Sequence, residues 1–513
     1  PAVRDPAVAQ PPDPAAACRD LRAGAMVACL HGNDTPPPGV SLFERPTVQE
    51  LEARTTLSSP VPRLRGLAAL EQATGPAAAS GLDCIGNGTS GNRIQAIYAR
   101  AAGRPDQYTS WLPSLRQWAA EADHAVWVSA GQTGGGRRLR FVTDGDCQLE
   151  VANVVLSAEG IDSFDQMRQE LQDQGFDRGD RKYLVWVDAA VGICGLGEVY
   201  LDQRPGAENY NNGGPMYARV DRPCWQYAEL HEIFHTLGAV QPDVPHPSAG
   251  LHCTDEADVM CYDDGIGPAN MLSICLPEHE ALLDCGHDDY FSTDPPAGSY
   301  LAGAWNTADS SFLQPDDAPR PAELALSGTA TITYGSRVGL QGRLSDGQDG
   351  AGVPGEAVNL FGRRAGETAE RSEGSAASAA DGSLRFTESP PATTSYRASF
   401  PGSDTYGIAG SARVTVRVRT RVSASRSAAT VRPGQLLTVT GAVGPNHRGQ
   451  RVYLQRQVGI GWSNVAVTTL TAASGYRLQT RRASRGTVTY RVHRPADRDH
   501  VAGNSPTFIV TVR

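Results

Sequence analysis

Two histidines stand four residues apart in the segment from His231 to Gly238, which reads HEIFHTLG. Residues i and i+4 share one face of a helix, so the imidazoles of His231 and His235 can bind one metal ion. Glu232 would then stand beside the metal, where it can take a proton from bound water. Histidine accounts for only 11 of 513 residues. The spacing therefore favours a metal-binding helix over a helix with two exposed histidines.

Charge and hydropathy argue against a nucleic-acid partner and against a membrane-spanning helix. The net charge is -10 and the chain has no basic tract, which argues against nucleic acid as a partner. There is no run of about 18 apolar residues, so the sequence predicts no membrane-spanning helix.

Ten cysteines occur, all before position 286 and none with CxxC spacing. We interpret them as disulfides of a secreted, extracellular protein rather than as reduced cysteines of a cytosolic one. The predicted pairs are Cys18–Cys29, Cys84–Cys147, Cys194–Cys224, Cys253–Cys261 and Cys275–Cys285.

The chain is too long for one ordinary domain, and its composition changes along its length. Residues 1–80 form a Pro/Ala-rich leader, 81–313 carry the histidine motif, and 314–321 are a linker by composition. The last two segments, 322–418 and 419–513, repeat each other with a period of roughly 95 residues, which is the size of an immunoglobulin-like sandwich. The matching pieces are 338–343 with 437–442, 358–361 with 452–455, and 414–418 with 508–512.

Hydrophobic periodicity in 81–313 predicts alternating strands and helices. Residues 183–189 form an apolar run typical of a buried central strand. We expect an α/β layer whose sheet lies behind the histidine helix, predicted over 225–237. The remaining predicted strands are 93–100, 138–143, 149–156, 197–202 and 216–221, and the remaining helices are 110–130 and 162–174.

The motif HEIFHTLG, followed downstream by Met260, resembles the metzincin zinc endopeptidases, and the resemblance covers about 81–313. It implies a multidomain chain in which a metzincin-like α/β (α+β) catalytic domain precedes two all-β immunoglobulin-like sandwiches. Met260 would form the Met-turn beneath the metal. Tyr262 completes a Met-x-Tyr pattern similar to the astacin and serralysin branches, which implies a role in stabilising the transition state. The alternative for Tyr262 is packing against the active helix.

The third metal ligand is open at this stage. Gly238 allows the chain to turn sharply after the helix. In the family the third ligand stands three residues after the glycine, but Gln241 occupies that position here and an amide oxygen is a poor zinc ligand. Asp243, His246 and His252 could replace it. We favour His246, because a neutral imidazole is the better zinc ligand.

The resemblance implies a secreted metalloendopeptidase with one catalytic Zn²⁺ and a protein or peptide substrate. Glu232 would act as general base, and Tyr262 would assist at the oxyanion. Extended substrate would pair with a sheet edge, for which the candidate is 214–221. Asp288 and Asp289 offer oxygens suited to Ca²⁺, but their spacing matches no calcium-binding loop, so a turn or capping role is expected. The repeats would bind a glycan or a cell-surface polymer, or act as spacers.

Two other functions fit the sequence. One is a non-catalytic surface or adhesion protein on a degenerate metzincin scaffold, which Gln241 supports and the intact Glu232 opposes. The other is a zinc hydrolase acting on a wall peptide or glycan. Whether the leader inhibits the enzyme is also open.

Overall fold

The computed structural model describes two compact units, formed by Pro1–Pro321 with Gly402–Ile408 and by Ala322–Pro401 with Ala409–Arg513. The described residues are 18–20, 26–31, 81–189, 194–226, 228–248, 250–255, 257–261, 271–272, 274, 279 and 281–513.

The first unit contains a mixed sheet with helices on both faces. Its strands are β1 (Cys18–Asp20), β2 (Met26–His31), β3 (Arg93–Ala101), β4 (Gly136–Leu139), β5 (Val151–Leu156), β6 (Arg181–Val187), β7 (Gly195–Tyr200), β8 (Met216–Asp221) and β9 (Leu313–Asp316). Its α-helices are α1 (Tyr108–Gly131), α2 (Ala158–Asp162), α3 (Phe164–Asp173) and α4 (Glu229–Thr236). Short 3-10 turns lie at Tyr210–Asn212, Arg222–Cys224 and Thr307–Asp309. The predicted strands and helices are present, with shifted ends.

The large sheet has the order β1-β2-β7-β8-β6-β3-β5. Strands β5, β3, β6 and β8 run parallel, whereas β7 is antiparallel to both of its neighbours. The predicted buried strand is β6, in which all seven residues are buried. A parallel strand covered on both faces needs such an apolar run.

Alternate residues of β6 supply two different cores, because successive side chains point to opposite faces of a sheet. Leu184 and Trp186 belong to the cluster that includes Phe234 of α4. Tyr183 and Val185 belong to the cluster on the other face, with Met167 of α3. The histidine helix therefore lies against one face of the sheet.

The prediction that 214–221 forms a sheet edge is wrong. Strand β8 lies between β6 and β7, so both of its sides are paired. Strand β2 of the leader pairs with the other side of β7, in a register that sets His31 opposite Gly195. A local strand pattern does not reveal which neighbours a strand will have. The other predictions for 1–80 lie outside the described residues, apart from the β1–β2 register that pairs Cys18 with Cys29.

Three predicted disulfides are confirmed: Cys84–Cys147, Cys194–Cys224 and Cys253–Cys261. Cys285 is also disulfide-bonded. Its predicted partner, Cys275, lies outside the described residues.

The second unit is all β and consists of two similar β-sandwiches. The first contains β10 (Ala322–Gly328), β11 (Thr331–Thr333), β12 (Val338–Asp346), β13 (Ala357–Arg364), β14 (Arg371–Ala377), β15 (Ser383–Glu388), β16 (Thr394–Phe400), β17 (Ala409–Gly410) and β18 (Val414–Arg419). The second contains β19 (Arg421–Val422), β20 (Ser425–Arg426), β21 (Thr430–Val431), β22 (Leu436–Gly444), β23 (Arg451–Val458), β24 (Gly461–Thr469), β25 (Gly475–Arg481), β26 (Gly486–Arg494), β27 (Gly503–Asn504) and β28 (Phe508–Val512).

The predicted repeat is visible in the pairing of these strands. One sheet of each sandwich has the same order, β11-β18-β16-β13-β14 in the first and β21-β28-β26-β23-β24 in the second. In both of these sheets a short strand runs parallel to the last strand of the repeat: β11 pairs with β18, and β21 pairs with β28. Matching residues of the two repeats, such as Leu360 and Leu454, are fully buried.

Candidate metal centre

Helix α4 is buried along its whole length, and both of its ends have polar partners. At the first turn, Glu229 accepts hydrogen bonds from Trp186 Nε1 and from the backbone N–H of Gln226, each at 2.7 Å. Burial raises the pKa of Glu229 to about 7. At the last turn, the Nζ of Lys182 donates to the carbonyl of Thr236 at 2.5 Å. The contact from Lys182 satisfies a carbonyl that the end of a helix otherwise leaves without a partner.

Three histidines converge beside this helix. The Nε2 atom of His235 lies 2.9 Å from His231 Nε2 and 3.2 Å from His252 Nε2. All three side chains are at most 1% exposed. Their ligand atoms lie within 4.8 Å of one another, close enough to hold one ion. Three imidazoles are a ligand set found in catalytic zinc sites, which leave a fourth position for water or substrate.

The loop that supplies His252 also fixes the orientation of His231. The carbonyl of Val259 lies 2.7 Å from His231 Nδ1, which leaves Nε2 directed toward the other histidines. Such a hydrogen bond from the second ring nitrogen is the usual support of a metal-binding histidine. The disulfide Cys253–Cys261 closes this loop, and Met260 between its ends is fully buried.

A buried carboxylate within the same loop connects it to a later segment of the chain. Asp258 accepts hydrogen bonds from the Met260 N–H at 2.8 Å, the Tyr290 hydroxyl at 2.7 Å and the Cys285 N–H at 3.1 Å. Burial, followed by the nearby charge of Asp284, raises the pKa of Asp258 well above its usual value. The Cys253–Cys261 loop beside the histidine cluster is therefore hydrogen-bonded to the segment around Tyr290.

Glu232 follows His231 in α4 and is fully buried. Neither of its carboxylate oxygens has a hydrogen-bond partner among the described residues. Burial, and then the charge of Asp221, raises the pKa of Glu232 well above that of an ordinary glutamate. A carboxylate with a raised pKa binds a proton more strongly than an exposed glutamate does.

Two glycines of β7 allow this close packing. A Cβ atom at Gly195 would lie 2.3 Å from Glu232 Oε1, and one at Gly197 would lie 2.5 Å from the Cβ of His235. Any larger residue would push the helix away from the strand. Their role was not predicted from the sequence, because a strand pattern does not show which helix will pack on it.

The predicted site residues fall into three groups. His231 and His235 meet at the centre, Glu232 is fully buried in the same helix, and Gly238 makes the expected turn with φ +85°. Tyr262 lies outside the described residues, so its role stays a prediction.

Of the candidates for the third ligand, the structure brings His252 to the pair and leaves His246 away from it, a correction of our preference. Gln241 turns its amide to the carbonyls of Tyr200 and Gly238, at 3.1 Å each, and Asp243 binds Gln203 at the surface. The signal that could have identified His252 is its neighbour Cys253. A disulfide between Cys253 and Cys261 places His252, which precedes Cys253, close to Met260, which precedes Cys261.

No helix among the described residues is long and apolar enough to cross a membrane. No protein-family model matches the chain. No curated protein matches it either.

Solved structures match parts of the chain at low similarity. A tetra-tandem repeat from the extending region of a large adhesion protein is 20% identical, with a TM-score of 0.22, and the match covers 39% of this chain and 51% of that one. The human OSCAR ligand-binding domain is 18% identical over 38% of this chain and 100% of its own, with a TM-score of 0.16. The D0–D1 domain of intimin is 13% identical over 37% of this chain and 97% of its own, with a TM-score of 0.15. TM-scores this low carry no argument about fold or function.

Proposed function

We propose that the protein is a secreted zinc-dependent metalloendopeptidase whose first unit is a metzincin-like catalytic domain. The proposal rests on three buried histidines that converge at His235 Nε2. The next residue after His231 in the same helix, Glu232, is fully buried and has no hydrogen-bond partner for its carboxylate among the described residues. The histidines fit zinc because imidazole is a preferred ligand and because His231 already has its Nδ1 directed to the Val259 carbonyl. Disulfides in the same unit support an extracellular location.

His231, His235 and His252 would hold the zinc. Bound there, zinc would polarise the scissile carbonyl and lower the pKa of a water molecule. Glu232 accepts the proton of the attacking water as the new C–O bond forms. It then gives this proton to the nitrogen of the leaving amine as the C–N bond breaks. Tyr262, two residues beyond Met260, is the proposed donor to the oxyanion.

The leader bears on how substrate could reach this site. Strand β2 occupies the side of β7 that would otherwise be open, and His31 is set opposite Gly195, the residue that packs on Glu232. We propose that extended substrate pairs with β7 once β2 has left, since strand addition to a sheet edge is a general mode of peptide binding.

The non-catalytic alternative depended on Gln241 as a weak third ligand. His252 supplies a third imidazole, so the geometry gives that alternative no further support. The two sandwiches are proposed to attach the enzyme to a glycan or a cell-surface polymer, with a spacer role as the alternative.

A substrate panel tests the proposed activity. Zinc-loaded protein, with and without residues 1–80, would be incubated with casein, with wall stem peptides and with wall glycan, before and after chelation. Chelator-sensitive cleavage within casein, identified by mass spectrometry of the new termini, is the expected result. Turnover of wall material alone would assign the second hydrolase function, and no turnover of any substrate would refute the proposal in favour of a binding protein.

A further inference from the structure

A second cluster of metal-ligating side chains is formed by residues that follow α4 in the chain, apart from the three histidines. It contains His246, Asp255, Asp288 and Asp289, whose ligand atoms all lie within 4.8 Å of one another. The Nδ1 atom of His246 is 3.3 Å from Asp289 Oδ2, 3.6 Å from Asp255 Oδ2 and 3.8 Å from Asp288 Oδ1. One imidazole nitrogen therefore faces three carboxylates.

Hydrogen bonds from backbone N–H groups connect His246 to Asp289 and to Thr254, the residue before Asp255. The N–H of His246 donates to Asp289 Oδ1 at 2.8 Å, and the N–H of Thr254 donates to the carbonyl of His246 at 2.9 Å. Asp284 shapes the segment that carries the other two acids by accepting from successive backbone N–H groups, among them Asp288 and Asp289 at 3.2 Å each. The ligand atoms are thus positioned by the fold and not by their contacts with one another alone.

Asp255 is the residue that points to a bound cation. It is 2% exposed, and its Oδ1 has no hydrogen-bond partner within the described part of the chain. Its Oδ2 lies 3.6 Å from His246 Nδ1, a distance too long for a hydrogen bond. An ionised carboxylate buried in this way is strongly unfavourable unless it is paired or binds a metal.

Gly286 keeps space open over the carboxylates. A Cβ atom there would lie 2.4 Å from Asp288 Oδ1 and 3.4 Å from Asp255 Oδ2. The side chains of His246 and Asp288 are 28% and 39% exposed, which gives an ion a path from solvent.

We propose that His246, Asp255, Asp288 and Asp289 form a second metal site, which binds a divalent transition-metal ion such as Zn²⁺. Three carboxylates provide the negative charge that a divalent cation compensates. The imidazole selects zinc and its neighbours in the transition series over Ca²⁺, which prefers oxygen ligands throughout. The ion links the loop that carries His252 to the segment around Asp289, and so stabilises the histidine cluster from outside.

Metal counting tests this assignment on the full chain. Apoprotein is dialysed against Zn²⁺, passed through a desalting column and analysed for zinc. The wild type should keep two zinc ions per chain, and Asp255→Asn should keep one. The matched control Asp294→Asn, an exposed carboxylate nearby, should keep two.

A second arm separates this site from the histidine centre. In a His252→Ala background, Zn²⁺ should still raise the melting temperature, and the additional Asp255→Asn change should abolish that rise. One zinc in the wild type, two in Asp255→Asn, or a larger thermal shift with Ca²⁺ than with Zn²⁺ would each overturn the proposal. If Asp255→Asn fails to fold, the more exposed Asp288→Asn replaces it with the same expected counts.

Discussion

Replacing His252 with alanine should remove the metal from the histidine cluster. His252 supplies one of the three imidazoles that meet at His235 Nε2, and no other described side chain joins that cluster. Zinc sites with a complete ligand set have apparent binding free energies of about 10–16 kcal/mol. With three imidazoles and one water molecule as ligands, one ligand thus contributes about 2.5–4 kcal/mol, which corresponds to a loss of roughly 10²- to 10³-fold in affinity.

Titration with Co²⁺ measures this loss independently of activity, because four-coordinate Co²⁺ absorbs visible light much more strongly than six-coordinate Co²⁺. Every titration uses an Asp255→Asn background, because the second proposed site would also bind Co²⁺. In that background the intense band should disappear in His252→Ala. It should persist in His246→Ala, whose imidazole lies in the other cluster, and in Asp243→Asn, whose side chain is at the surface. Retention of the band in His252→Ala, or its loss in His246→Ala alone, would refute the assignment of the third ligand.

Three further predictions follow from packing, charge and pairing. Gly195→Ala should destabilise the first unit by about 1–3 kcal/mol and lower casein cleavage about 10²-fold, because the added Cβ would clash with Glu232. Gly145→Ala is the control, since a Cβ there has no atom within 4 Å, and it should change neither quantity. Calorimetry measures the stability, and initial rates measure the cleavage. Asp123 has a pKa raised to about 7 by burial, so its folded value exceeds the unfolded one and stability falls as pH rises between about 4 and 7. Relative to Asp123→Asn, the wild type should lose about 2–3 kcal/mol from pH 5 to pH 8, measured by melting. Removing residues 1–80 exposes β7 and should increase casein cleavage; an unchanged or lower rate would contradict a blocking role for β2.

Local patterns in the sequence predicted the parts of the structure that depend on neighbouring residues. The i, i+4 histidines predicted the face of α4, because helix geometry alone brings them together. The apolar run of β6 predicted a central strand, since a strand covered on both faces has no polar positions. The pairing of Cys253 with Cys261 followed from their short separation along the chain.

Features that depend on distant contacts were not predictable in the same way. His252 lies in a loop without periodicity and reaches the site because a disulfide and the Val259 carbonyl fix that loop. The identity of the sheet edge depends on β2, a short strand in a segment whose composition gives no strand signal. A glycine such as Gly195 is unfavourable in a strand by local preference, but the close packing against Glu232 requires it. Each of these outcomes is set by tertiary packing, which overrides local preference.

The role of Glu232 is the central claim, and the rate of casein cleavage by Glu232→Gln tests it most directly. Wild type and variant would be loaded with zinc to the same measured content, with Glu208→Gln as an exposed control. Glutamine preserves the size of the side chain but cannot accept the proton, so zinc content should be unchanged and cleavage should fall by about 10²- to 10⁴-fold. The control should cleave at the wild-type rate. Cleavage by Glu232→Gln at the wild-type rate, with zinc bound, would contradict the account.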